Sequence, residues 1–145
     1  MLLTHNMAGY LPLWLLTTIY PLERISYTCD RPLEVLALGL GRTGSESLGR
    51  ALDEVRYGEV YHGYKLLGKD ISSALQWVRF GLDKYSTKHR NPSVFTRQAF
   101  DRVIGHCGAV TDLPTAGFAV EMLRAYPDAK VILNRRRDVD AWYES

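Results

Sequence analysis

A short apolar run, Glu34 to Leu38, passes directly into Gly39-Leu40-Gly41-Arg42-Thr43-Gly44, and from there into Ser45-Glu46-Ser47-Leu48. Apart from Glu34 the run is continuously apolar, the pattern of a strand buried on both faces in a parallel sheet. Beyond the glycines, Leu48, Leu52 and Val55 recur at helical spacing beside Ala51, with Arg50, Asp53 and Glu54 on the other side. A strand that turns through three glycines into a helix presents backbone N–H groups at one point, the arrangement that cradles a phosphate. No other stretch restricts the fold as strongly.

The remainder of the chain repeats the alternation. Tyr57-Gly58 closes the first helix, and Glu59 to His62 reads as a second strand with Gly63 as its exit. Asp70 is placed to cap a helix in which Ile71, Leu75, Val78 and Leu82 share a face. Ser86 to Pro92 is polar and reads as a loop, after which Thr96 caps a helix carrying Phe100, Val103 and Ile104. Gly108 to Asp112 is a third strand, closed by Leu113-Pro114. Ala116 to Tyr126 is a helix with Phe118, Met122 and Leu123 inward, and Lys130 to Asn134 is a fourth strand. Arg135 to Arg137 form its basic exit, and Asp138 caps the last helical turns. Strands alternating with helices give an α/β fold with a parallel sheet, whose ligands sit at the carboxyl ends of the strands. Gly41 to Ser47, His62, Asp112 and Arg137 all fall at such ends.

The length of 145 residues suits one domain. A formal charge of +2 does not point to nucleic acid, and what positive charge there is clusters at Arg135-Arg136-Arg137. Cys29 and Cys107 form neither a metal-ligand spacing nor a disulfide framework, which reads as two reduced thiols in a cytoplasmic protein. Tyr10 to Tyr20 is apolar but shorter than the roughly 20 residues that span a bilayer. No Lys or Arg precedes it, so residues 1–30 read as an extension, with membrane contact the lesser alternative, ahead of an α/β domain at 31–145.

Three tenants compete for the glycine loop. Gly39 to Gly44 matches G-x-G-x-x-G, but a dinucleotide site also asks for an acidic residue at the end of the second strand, where Tyr61-His62-Gly63 stands instead. The nucleotide-triphosphatase loop needs a Lys where Ser45 lies and a Ser or Thr where Glu46 lies. The third option is a single terminal phosphate wrapped by N–H and O–H donors, with Arg42 on the bridging oxygen and Glu46 turned outward. His62, at a strand end, is a candidate general base, with Asp112 as the alternative. A Cys107–His106 nucleophile lacks an evident oxyanion or acid partner.

Residues 35–48, with Tyr61-His62, Thr111 to Pro114, Tyr126 to Leu133 and Arg137-Asp138 through Trp142 to Ser145, resemble the sulfotransferase family. Within it they resemble the branch whose G-x-G-x-x-G invites assignment as an NAD-dependent epimerase or dehydratase. The resemblance covers residues 31–145. It implies a P-loop NTPase-like three-layer sandwich, with about four strands here and the C-terminal part of the family fold beyond them. It also implies metal-free transfer of a sulfuryl group from 3′-phosphoadenosine 5′-phosphosulfate to a hydroxyl or amine of a small-molecule acceptor. Arg42 then steadies the leaving phosphate, and Thr43, Gly44, Ser45 and Ser47 match the donors of the loop. Arg137 and Ser145 match the residues that grip the 3′-phosphate. A non-catalytic or truncated nucleotide-binding protein and an NAD(P)-binding Rossmann-type oxidoreductase or epimerase stand as the alternatives.

Overall fold

The computed structural model describes residues 31–67, 71–88 and 90–145, with Leu15 and Cys29 alone ahead of them. The apolar N-terminal segment and the Asp70 cap therefore lie outside the described residues. Strands β1 (Val35–Ala37), β2 (Val60–Tyr61), β3 (Ala109–Thr111) and β4 (Lys130–Ile132) form one sheet. Their order is β2-β3-β1-β4, and every pairing is parallel. The first three strands are shorter at both ends than the sequence implies, and β4 is shorter at its carboxyl end only. Beyond the ladder, at Gly39, His62 and Asp112, neighbouring chains part company and become the loops of the candidate site.

The helices are α1 (Ser45–Glu54), α2 (Ile71–Tyr85), α3 (Arg97–Ile104), α4 (Ala119–Ala125) and α5 (Val139–Tyr143), with 3-10 turns at Gly63–Leu67, Pro92–Val94 and Thr115–Phe118. Side chains alternate across a strand, so β1 feeds two layers. Val35 and Ala37 pack with Leu52 of α1 and Ala109 on one face. Leu36 joins Tyr61, Val110 and the apolar residues of α2, α3 and α4 on the other. The result is α/β with helices on both faces of a parallel sheet, as expected.

The larger layer is aromatic. Trp77 lies 5.6 Å from the Phe80 ring and 5.4 Å from the Phe118 ring, and its Nε1 donates to Tyr61 Oη at 2.8 Å. This corrects the face expected for α2: Val78 and Leu82 are exposed, and Trp77 and Phe80 point inward instead. Aromatic side chains bury more area than aliphatic ones, so they decide which of two apolar stripes faces the sheet. The Ala116 to Tyr126 helix also divides, into a 3-10 turn and α4, with Phe118 and Met122 buried but Leu123 exposed. At its start, Gly117 O accepts from Lys84 Nζ at 2.8 Å and from Tyr85 Oη at 2.7 Å, which ties this turn to the end of α2. Thr96 caps α3 as expected, accepting the Ala99 N–H at 3.2 Å.

Helix α1 ends in a Schellman turn. Tyr57 N–H donates to Leu52 O and Arg56 N–H to Asp53 O, with Arg56 at φ 65°. This turn carries Val55 outward, where a core position was expected. Glycine is the residue that adopts such a φ without a Cβ penalty. Arg56→Gly is expected to raise stability by about 0.5–1 kcal/mol, seen as a higher urea midpoint at unchanged m-value. A lower midpoint would show that the arginine side chain contributes more than its backbone costs.

Among the described residues no helix is long and apolar enough to cross a membrane. Cys29 is exposed and Cys107 buried, and neither forms a disulfide.

Candidate functional site

The loop between β1 and α1 is built from its backbone. Gly44, at φ 85°, is the N-cap of α1 and offers no side chain to the first turn. The first intrahelical bond is Leu48 N–H to Gly44 O, at 3.0 Å. The amides of Ser45, Glu46 and Ser47 come before it, at the positive end of a ten-residue helix. Amides left without intrahelical partners at a helix start are the arrangement that suits an anion. Arg42 is exposed and sits at φ 66°, a conformation that costs a non-glycine residue about 1–2 kcal/mol. Glu46 turns outward as expected, paired with Arg50 at 2.6 Å.

Two hydroxyls expected to face a ligand are committed elsewhere. Thr43 Oγ1 donates to Leu40 O at 2.5 Å and accepts from Asn134 Nδ2 at 2.6 Å. Ser45 is buried, and its Oγ donates to Asp112 Oδ2 at 3.0 Å. Both residues therefore offer the loop an amide, and their hydroxyls brace it. Ser47 is exposed on the first turn of α1.

Adjacent parallel strands bring His62 and Asp112 together. Each is the residue directly after its strand, β2 or β3, and His62 Nε2 stands 3.3 Å from Asp112 Oδ2 with both side chains largely buried. The approach is within ion-pair range, but Nε2 makes no hydrogen bond there. On the far side of the ring, Nδ1 accepts the Tyr64 N–H at 3.2 Å, and the Tyr64 ring stacks on the imidazole at 4.7 Å. Asp112 is held at φ 66°, its Oδ1 accepts the Leu113 N–H at 2.7 Å, and its carbonyl accepts from Thr115 Oγ1 at 2.7 Å. A β-carbon on Gly41 would come within 3.3 Å of Asp112 Oδ1, so carboxylate and glycine loop face each other. Non-glycine residues held at positive φ concentrate at functional sites. Here Arg42 lies within the glycine loop and Asp112 faces it.

The basic exit is less regular than its sequence implies. Arg137 does not stand at a strand end: β4 closes at Ile132, and Arg137 lies in the following bend, exposed. Ser145 is not two turns into a helix, because α5 ends at Tyr143. Its Oγ donates to Trp142 O at 2.7 Å. Among the described residues no hydrogen bond or ion pair joins Arg137 to Ser145. Asp138 does cap α5, accepting the Ala141 N–H at 3.1 Å. That cap sets the helix so that Trp142 Nε1 donates to Gly41 O at 2.9 Å.

Asn134 and Trp142 thus clamp the glycine loop from the β4 side. Asn134 carries no spacing signal, since its partner Thr43 is 91 positions away. Trp142 reads in the sequence as aromatic surface, and nothing there shows that its N–H reaches the loop. The family comparison spans all of these residues. A model of the sulfotransferase domain matches residues 34–145. The chain belongs to the sulfotransferase family. It is also similar to Ava biosynthesis cluster protein M of Aspergillus versicolor, at 34% identity over 114 residues. That match covers 78% of this chain and 41% of the relative, so the chain spans about two fifths of the relative's length. The sulfotransferase match takes in the glycine loop, His62, Asp112, the Asn134 clamp and α5.

Proposed function

We propose that this sulfotransferase-family chain binds 3′-phosphoadenosine 5′-phosphosulfate and transfers its sulfuryl group to a hydroxyl or amine of a small-molecule acceptor. The observation that carries the proposal is the uncapped N-terminus of α1, with Arg42 in the loop before it and the His62–Asp112 contact facing that loop. The loop amides and Arg42 hold the 5′-phosphosulfate and offset charge on the departing phosphate. Arg137 supplies a guanidinium for the 3′-phosphate, with Ser145 as a hydroxyl donor near the end of α5. The acceptor's nucleophilic atom is brought to His62 and Asp112, where a proton can be taken up.

The dinucleotide alternative loses support at β2. That strand is followed by His62-Gly63-Tyr64-Lys65, with no carboxylate for a ribose. A thermal-shift titration separates the two. A near-saturating excess of 3′-phosphoadenosine 5′-phosphate is expected to raise Tm by about 5–10 °C, with NAD giving no shift. Stabilisation by NAD and none by the phosphoadenosine would overturn the proposal. Transfer of label from a radiolabelled donor across a panel of phenols, alcohols and amines then distinguishes an enzyme from a protein that only binds.

A further inference from the structure

The site holds two groups able to take a proton, and their hydrogen bonds separate them. If the loop carries the phosphosulfate donor as proposed above, we infer that Asp112 is the general base and His62 a positioning residue acting through it.

The Nδ1 lone pair of His62 is engaged by the Tyr64 N–H at 3.2 Å. A neutral imidazole has one N–H and one acceptor nitrogen, so its proton sits on Nε2. Nε2 is the atom that faces Asp112, at 3.3 Å. The imidazole therefore turns an N–H, not a lone pair, toward the site, and its only basic nitrogen faces the backbone. Asp112 is the opposite case. A carboxylate has about four acceptor positions. Ser45 Oγ occupies one on Oδ2, the Leu113 N–H occupies one on Oδ1, and His62 Nε2–H approaches Oδ2 from the side. An acceptor position remains on Oδ1, the oxygen that a β-carbon on Gly41 would meet. Two donors fix the direction of this carboxylate without using it up, and the edge of the imidazole packs against it.

In the transfer, the acceptor's oxygen or nitrogen forms a bond to sulfur while the bond from sulfur to the bridging phosphate oxygen breaks. The electron pair of the broken bond leaves with the 5′-phosphate, giving 3′-phosphoadenosine 5′-phosphate. The acceptor's proton passes to Asp112 and from there to water. The imidazole, packed against Oδ2 at 3.3 Å, keeps the carboxylate turned to the acceptor throughout.

The backbone supplies a clean test. Asp112 sits at φ 66°, which glycine adopts without strain, so Asp112→Gly removes the carboxylate and leaves the turn its conformation. It also leaves room for an added carboxylate. Asp112→Gly is expected to lower kcat at least about 100-fold, to keep its affinity for 3′-phosphoadenosine 5′-phosphate, and to regain turnover in formate. His62→Gln keeps a side-chain N–H, and is expected to lower kcat only about 10-fold with KM little changed. His62→Leu, with no N–H, is expected to be slower than His62→Gln.

Formate rescue together with a working His62→Gln supports the assignment. A formate-insensitive Asp112→Gly, or a His62→Gln as slow as Asp112→Gly, overturns it. Wild-type protein that binds the phosphoadenosine and forms neither a sulfate ester nor a sulfamate removes the proposed activity itself, and the assignment with it. Wild-type turnover with variants that depart from this pattern removes the assignment alone.

Discussion

Gly39→Ala is expected to destabilise the domain by about 2–3 kcal/mol and to abolish binding of 3′-phosphoadenosine 5′-phosphate. A β-carbon at this position would collide with Asn134, meeting both its side chain and its backbone carbonyl. A side chain can rotate away, but a carbonyl in the chain leaving β4 cannot. Just before this point Leu38 N–H donates to Ile132 O at 3.1 Å, so β1 and β4 are still tied together. Relief of the collision has to come from the loop, and that breaks the Asn134–Thr43 clamp. Gly44→Ala is the matched control. Nothing lies within 4 Å of a β-carbon there, and the cost is only that of alanine at φ 85°, about 1–2 kcal/mol. Urea unfolding followed by calorimetry with the phosphoadenosine checks both. Equal midpoints for the two variants, with binding intact in Gly39→Ala, would show that β4 does not hold the loop.

The same contact shows what the sequence can and cannot carry. The β1-loop-α1 unit is legible because everything in it is local: the apolar run, the glycines and the helical spacing lie within twenty residues. The carboxyl-end position of His62 and Asp112 is legible for the same reason, since each follows its own strand. Their meeting depends on β2 and β3 being neighbours, a matter of strand order that no local pattern encodes. Asn134 is one step further removed. It is an ordinary polar residue after a strand, and it matters only because β4 pairs with β1 and brings it to Thr43.

Helix α2 fails differently. Its sequence carries two stripes at helical spacing, Ile71-Leu75-Val78-Leu82 and Ser73-Trp77-Phe80-Lys84. The aliphatic stripe looks more regular. The sheet takes the second because Tyr61, Phe100 and Phe118 are already there to receive the Trp77 and Phe80 rings, and Lys84 reaches Glu121 at 2.8 Å. Long-range aromatic packing outweighs local regularity here.

Arg42→Gly is expected to separate stability from turnover. Arg42 occupies a left-handed conformation at φ 66°, so glycine relieves backbone strain while it removes the guanidinium. The variant should gain about 1 kcal/mol of stability yet lose about 100- to 1000-fold in kcat, with a smaller loss in donor binding. The asymmetry follows from where the charge acts. The phosphate gains negative charge as its bond to sulfur breaks, so a cation beside the bridging oxygen is worth more in the transition state than in the ground state. Arg137 is placed differently, exposed in the bend after β4. Arg137→Ala is expected to weaken binding of 3′-phosphoadenosine 5′-phosphate about 10- to 100-fold, the worth of a charge-assisted hydrogen bond, and to leave kcat at saturating donor nearly unchanged. The reciprocal result, a kcat defect in Arg137→Ala and a pure binding defect in Arg42→Gly, would exchange the two assignments. A fall in stability of Arg42→Gly would mean that the loop needs the guanidinium even without a ligand, so that Arg42 is part of the fold as well as of the site.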